Sequence, residues 1–187
     1  VAEQMNERYL ELYYDEFIET TRPLEGASEL LVRLHDSGVP MAVVTNKNED
    51  GALRMVEIQR WARFFDVVVG RDTTARPKPW PDGSLFALGK LGVTADRSAF
   101  VGDTEFDMRT GRDAGLRFRI GLLGARTVEQ LEGSGATHIA SDLEAVGTIR
   151  NTTIAHNRGN TVSGSETGAG LLNIATVTLE NCIVFHN

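Results

Sequence analysis

The chain has 187 residues, 41% hydrophobic and 24% charged, with a formal net charge of −7. That length holds one domain, or one and a part. The acidic balance excludes a broad basic face for nucleic acid, and no apolar run approaches the roughly 20 residues of a membrane span. The single Cys182 excludes an internal disulfide and fits a reducing compartment. No signal-peptide pattern is visible, so a cytoplasmic location is expected.

Residues 1 to 20 read as one amphipathic helix or two, with Met5, Leu10, Tyr13 and Phe17 at helical spacing. Pro23 and Gly26 break the pattern. Ala27 to Asp36 reads as a helix with Leu30, Leu31 and Leu34 inward, stopped by Gly38. Met41-Ala42-Val43-Val44 is a continuous apolar run, as in a strand buried on both faces. It ends in Thr45-Asn46-Lys47. A helix over roughly Asp50 to Ala62 follows, with Leu53, Val56 and Trp61 as its apolar side.

Phe65 to Gly70 is a second buried strand. Arg71 to Asp82 is a loop heavy in Pro and charge, and it carries Lys78 between Pro77 and Pro79. A helix through Leu85, Leu88 and Leu91 stops at Gly92. Ala99 to Gly102 is a strand, and Glu105 to Ala114 a helix. Phe118 to Leu122 and His138 to Ala140 complete the strand set, with a short helix from Thr127 to Leu131 between them. Strand and helix alternate, which predicts an α/β fold with a parallel sheet.

The composition changes near Gly147. Of the 45 charged residues only four lie beyond it, and Asn, Thr and Gly take over. Asn151-Thr152-Thr153-Ile154-Ala155-His156-Asn157 recurs as Asn181-Cys182-Ile183-Val184-Phe185-His186-Asn187, an offset of 30 residues. Such a period suggests a solenoid. This tail resembles right-handed parallel β-helix coils, and the Thr152–Ala155 and Cys182–Phe185 regions are expected to pair one coil apart. The alternative is a low-complexity tail.

Asp103 and Asp107 follow the third strand. Two carboxylates there repel unless a cation lies between or beside them, and an all-oxygen set suits Mg²⁺. The alternative makes Asp103 a helix cap and puts Asp107 on a solvated face. Thr45-Asn46-Lys47, the Lys78 loop and Asp103/Asp107 each follow a different strand. Open α/β sheets bind ligands at that edge.

Val43-Val44-Thr45-Asn46-Lys47, Phe65-Asp66-Val67-Val68-Val69-Gly70, Lys78-Pro79-Trp80-Pro81-Asp82 and Val101-Gly102-Asp103-Thr104-Glu105-Phe106-Asp107 occur in that order. Together they resemble the haloacid-dehalogenase-type phosphatase superfamily, closest to its phosphoglycolate-phosphatase-like members, over residues 1 to 146. The resemblance implies a Rossmann-like sheet and Mg²⁺-dependent hydrolysis of a small phosphorylated metabolite. It implies that Thr45, Asn46 and Lys78 bind the phosphate, with Thr45 and Lys78 acting in catalysis. It implies that Asp103 is a direct Mg²⁺ ligand, and that Asp107 reaches the ion through water or orients Lys78. Lys47 and Arg76 are secondary candidates for substrate contact. A phosphomutase or a dehalogenase is the alternative within the superfamily. A structural or carbohydrate-contacting β-helix protein is the alternative outside it.

The family's nucleophile is an aspartate in an Asp-x-Asp motif at the end of the first, central strand. No Asp-x-Asp occurs in this sequence. Residues 1 to 20 resemble the last part of a helical cap, so the chain is expected to start after that strand. The expected organisation is a cap remnant over 1–20, a partial α/β core over 21–147 and a β-helix-like tail over 148–187. The strands ending at Thr45 and Gly102 would then lose the neighbour between them. The two strands could pair directly, another segment could fill the gap, or the fold could be unstable; direct closure with poor stability is the favoured expectation.

Overall fold

The computed structural model describes residues 21–148, 161–162 and 181–184. The helix expected over 1–20 and the Thr152–Ala155 repeat lie outside these residues. In chain order the elements are α1 (Ala27–Asp36), β1 (Met41–Val44), α2 (Glu49–Ile58), β2 (Val67–Val69), α3 (Asp82–Leu91), β3 (Ser98–Gly102) and α4 (Glu105–Asp113). They continue with β4 (Phe118–Leu122), α5 (Val128–Gly133), β5 (His138–Ala140), α6 (Leu143–Thr148), β6 (Thr161–Val162) and β7 (Asn181–Val184).

The strands form one sheet in the order β2-β1-β7-β3-β4-β5-β6. Every pairing is parallel. All four residues of β1 and all five of β3 are buried, as their unbroken apolar runs require. The pleat sends alternate residues to opposite layers. Met41, Ala99 and Val101 pack with Leu30, Leu31 and Leu34 of α1 and with Leu143 and Val146 of α6. Ala42, Val44 and Phe100 pack with Ala87 and Leu88 of α3 and with Leu116. Each large aliphatic side chain so buried contributes roughly 1.5–3 kcal/mol. The result is a three-layer α/β sandwich.

Two expectations are corrected at the centre of the sheet. β1 and β3 do not close on each other. β7 lies between them, with Met41 opposite Cys182 on one side and Ala99 opposite Cys182 on the other. The Cys182–Val184 stretch therefore joins the α/β sheet instead of stacking on a β-helix coil. The physical reason is hydrogen-bond supply. The slot offers two rows of buried N–H and C=O groups, each costing roughly 1–3 kcal/mol if unpaired. A lone coil has no such partner and relies on about three repeats for its core. The instability argued from a missing neighbour loses its premise, because β7 pairs with both strands.

A third correction concerns α2, which ends at Ile58 rather than Ala62. Arg60 adopts φ 59°, in the left-handed region, and this stops the helix. Ala62–Phe64 forms a separate 3₁₀ turn that buries Phe64. The buried face of α2 is Gly51, Ala52, Met55 and Val56, while Leu53 points outward at 40% exposure. Trp61 leaves the helix, and its indole N–H donates to Ser28 Oγ at 3.1 Å.

Candidate active site

The carboxyl ends of β1, β2 and β3 converge on Lys78. Thr45 follows β1, and its N–H still donates to Val69 O of β2 at 2.9 Å. The Thr45 hydroxyl accepts from Lys47 N at 3.1 Å, which turns the chain sharply out of the sheet. That turn presents Asn46, whose Nδ2 donates to the Lys78 carbonyl at 3.2 Å.

The loop carrying Lys78 is fastened at both ends. At its start, Gly70 N donates to Thr73 Oγ1, and the Thr73 hydroxyl donates to Glu49 Oε2. Asp72 Oδ1 accepts from Glu49 N at 2.8 Å and so caps α2 from across the loop. A Cβ on Gly70 would meet Glu49 N at 2.2 Å, so only glycine permits this approach. At its far end, Arg76 forks onto Asp82 at 2.9 and 2.8 Å, with its guanidinium 4.7 Å above the Trp80 ring. Arg76, a secondary candidate for substrate contact, is engaged by Asp82 and Trp80.

Lys78 is 6% exposed, and its Nζ lies 2.6 Å from Asp107 Oδ1. Asp107 is fully buried. Its other oxygen, Oδ2, accepts from Thr104 N at 3.0 Å and from Thr104 Oγ1 at 2.6 Å. Thr104 is the N-cap of α4, and the two residues form a capping box. This overturns the alternative that cast Asp103 as cap and Asp107 as solvated. Burial pushes the Lys78 ammonium below its usual range. The Asp107 and then the Asp103 carboxylate oppose that shift, while the Lys47 charge adds to it. Asp103 and Lys47 thus act electrostatically on the same ammonium.

Gly102 and Thr104 lie within the quoted motif, but the sequence assigns neither a role at the site. Thr104-x-x-Asp107 is a capping-box spacing that could have marked Thr104. A Cβ on Gly102 would meet Asp107 Cβ at 2.3 Å and Cγ at 2.4 Å, so a bare backbone is needed there. Among the described histidines, His35 packs on Phe64 and His138 lies in β5, neither at this edge. His156 and His186 lie outside the described residues. No group of three or more His, Cys, Asp or Glu side chains forms a metal cluster among the described residues. Asp103 and Asp107 supply an oxygen-only pair, the chemistry a hard cation such as Mg²⁺ takes. No helix among the described residues is long and apolar enough to cross a membrane.

The fold is thus a Rossmann-like three-layer arrangement, a parallel sheet between helices, with a buried lysine–aspartate pair at the carboxyl edge of the sheet. The haloacid dehalogenase-like hydrolase family matches residues 1–120, and the chain belongs to that family. Among its relatives, the phosphoglycolate phosphatase of Aquifex aeolicus is 31% identical over 128 residues, covering 66% of this chain and 60% of that protein. The N-acetylmuramic acid 6-phosphate phosphatase of Pseudomonas aeruginosa is 33% identical over 116 residues, covering 62% and 51%. A hydrolase of known structure from Pseudomonas syringae superposes with a TM-score of 0.69 at 27% identity, covering 78% of this chain and 66% of that one. The chain spans about half the length of the curated relatives it matches.

Proposed function

We propose that this chain carries the phosphate- and cation-binding half of a phosphomonoester hydrolase acting on a small phosphorylated metabolite. The observation that carries the reading is the buried Lys78–Asp107 pair at the carboxyl edge of the sheet. Phosphoryl transfer is mostly positioning and electrostatic stabilisation. Lys78 supplies a positive charge whose direction is fixed from below by Asp107. The Thr45 hydroxyl and the Asn46 backbone N–H supply neutral donors beside it. The names of the relatives, phosphatases of phosphoglycolate and of a sugar acid phosphate, support a small anionic ester as substrate.

Asp103 would ligate Mg²⁺ directly. Asp107 would act through water, because its Oδ1 is committed to Lys78 and its Oδ2 to Thr104. Bound Mg²⁺ would neutralise charge on the phosphate oxygens. No residue of this sequence is assigned the covalent step, since Asp-x-Asp is absent. The chain is therefore expected to bind phosphate with Mg²⁺ without turning over an aryl phosphate.

Calorimetric titration of inorganic phosphate in the presence of Mg²⁺ tests the binding half. Affinity should fall at least about tenfold in K78M and in D103N, the size of one charge-assisted hydrogen bond. Equal affinity in all three proteins rejects the reading. Aryl phosphate turnover that disappears in D103N would reveal a nucleophile elsewhere in the chain.

A further inference from the structure

Asn46 is expected to meet the phosphate through its backbone N–H, which leaves its side chain without a role. The side chain's surroundings give it one. Its Nδ2 donates to the backbone carbonyl of Lys78 at 3.2 Å, and its Oδ1 is buried with no hydrogen-bond partner. An unpaired buried acceptor costs roughly 1–3 kcal/mol. Nothing on the Oδ1 side therefore sets the orientation of this carboxamide. The bond to Lys78 O sets it.

We infer that Asn46 is a positioning residue: its amide holds the Lys78 backbone while Asp107 holds the Lys78 ammonium. The loop between β2 and α3 is clamped at its two ends, by Thr73 on Glu49 and by Arg76 on Asp82. Lys78 lies inside the second clamp, between Arg76 and Asp82. Its ammonium is anchored to α4 through Asp107, and its main chain to the end of β1 through Asn46. A lysine stem has four rotatable bonds, and fixing only the ammonium leaves the backbone free to drift. Anchoring both ends makes the lysine a rigid strut between two strand ends. The proposal uses the phosphate-site reading only to say why a rigid Lys78 matters.

The test exploits the lysine count. The sequence has Lys47, Lys78 and Lys90 only. Lys90 is exposed and serves as the internal reference. The full chain is treated with an amine-acetylating reagent, and the rate at each lysine is read by mass spectrometry. The variants are N46D, which keeps the shape and removes the donor, and N46A. Backbone hydrogen exchange of the β3 amides is measured on the same samples. Losing one hydrogen bond should speed Lys78 labelling by about three- to tenfold. The Lys90 rate and β3 exchange should stay unchanged.

An unchanged Lys78 rate in N46D overturns the proposal. So does an acceleration matched by equally faster β3 exchange, which means the whole domain opens. A third arm adds inorganic phosphate with Mg²⁺ to the unsubstituted chain. Failure of phosphate to slow Lys78 labelling counts against the phosphate site and leaves the Asn46 result standing on its own.

Discussion

Gly102 and Asp107 touch so closely that no side chain fits between them: a Cβ built at 102 would lie 2.3 Å from Asp107 Cβ. The strand end and the first turn of α4 share one small space, and the carboxylate that holds Lys78 occupies it. G102A is expected to force Asp107 away from Lys78 and to destabilise by roughly 1–3 kcal/mol, as overpacking does. Gly89, inside α3, has nothing within 4 Å of an added Cβ. G89A should stabilise by about 0.5–1 kcal/mol. Urea unfolding of both variants gives the comparison, and the two shifts should have opposite signs.

The Lys78–Asp107 pair should behave asymmetrically. Removing one member of a buried pair leaves an uncompensated charge, at a cost of about 3–5 kcal/mol. D107A removes the partner of Lys78 and also the acceptor for Thr104. K78M leaves Asp107 with both Thr104 bonds. D107A should therefore cost more than K78M. The double variant K78M/D107A should cost less than the sum of the two, since no lone charge remains. Denaturant midpoints at neutral pH measure all three.

Thr104 caps α4 and donates its hydroxyl to Asp107. T104A should lose about 1 kcal/mol, and T104S, which keeps the hydroxyl, should recover most of it. A further expectation separates capping from site geometry. T104A should weaken Mg²⁺-dependent phosphate binding as well, because Asp107 Oδ2 loses its shorter bond, to the hydroxyl, and keeps only the backbone N–H. Calorimetry on T104A and T104S checks that coupling.

His138 gives the fold a pH dependence. Burial, and then the Arg119 charge, push its imidazole below the usual value of 6.5. Its Nε2 is buried without a partner. The folded state therefore binds fewer protons than the unfolded chain once the pH falls below about 6.5. Stability is present above that value and is lost as the pH drops toward the folded pKa. H138F keeps a ring against Phe118, which His138 meets at 5.8 Å between centroids. The loss of stability between pH 7.5 and 5.5 should be smaller in H138F than in the unsubstituted chain. Equal losses would show that His138 is not the titrating group.

Much of this arrangement was legible because its signals are local. β1 and β3 announce themselves as unbroken apolar runs, and Gly38, Gly92 and Gly115 adopt the positive φ that stops a helix. Lys78, bracketed by prolines, could be marked for its charge in a stiff loop. The rest depends on distances between segments. Asp103 and Thr104 are both good caps, and only the position of the Asp107 carboxylate decides for Thr104. Trp61 carries the helical spacing of α2, but Arg60 turns the chain before it. Asn181–Val184 reads like any buried strand, and nothing in four residues says which neighbours it takes.

β7 has a consequence for how the molecule assembles. Among the described strands, β1 pairs with β2 and β7, and β3 pairs with β4 and β7. The two halves of the sheet therefore share no hydrogen bonds of their own, and the segment that unites them is the last of the described strands to leave the ribosome. Among the described strands its contacts close the longest loops, which makes them the slowest to form. Until they form, each half exposes an open inner edge able to pair with a stranger's strand. The strand that completes the sheet is thus also the guard against its misassembly, and it arrives after the danger has begun.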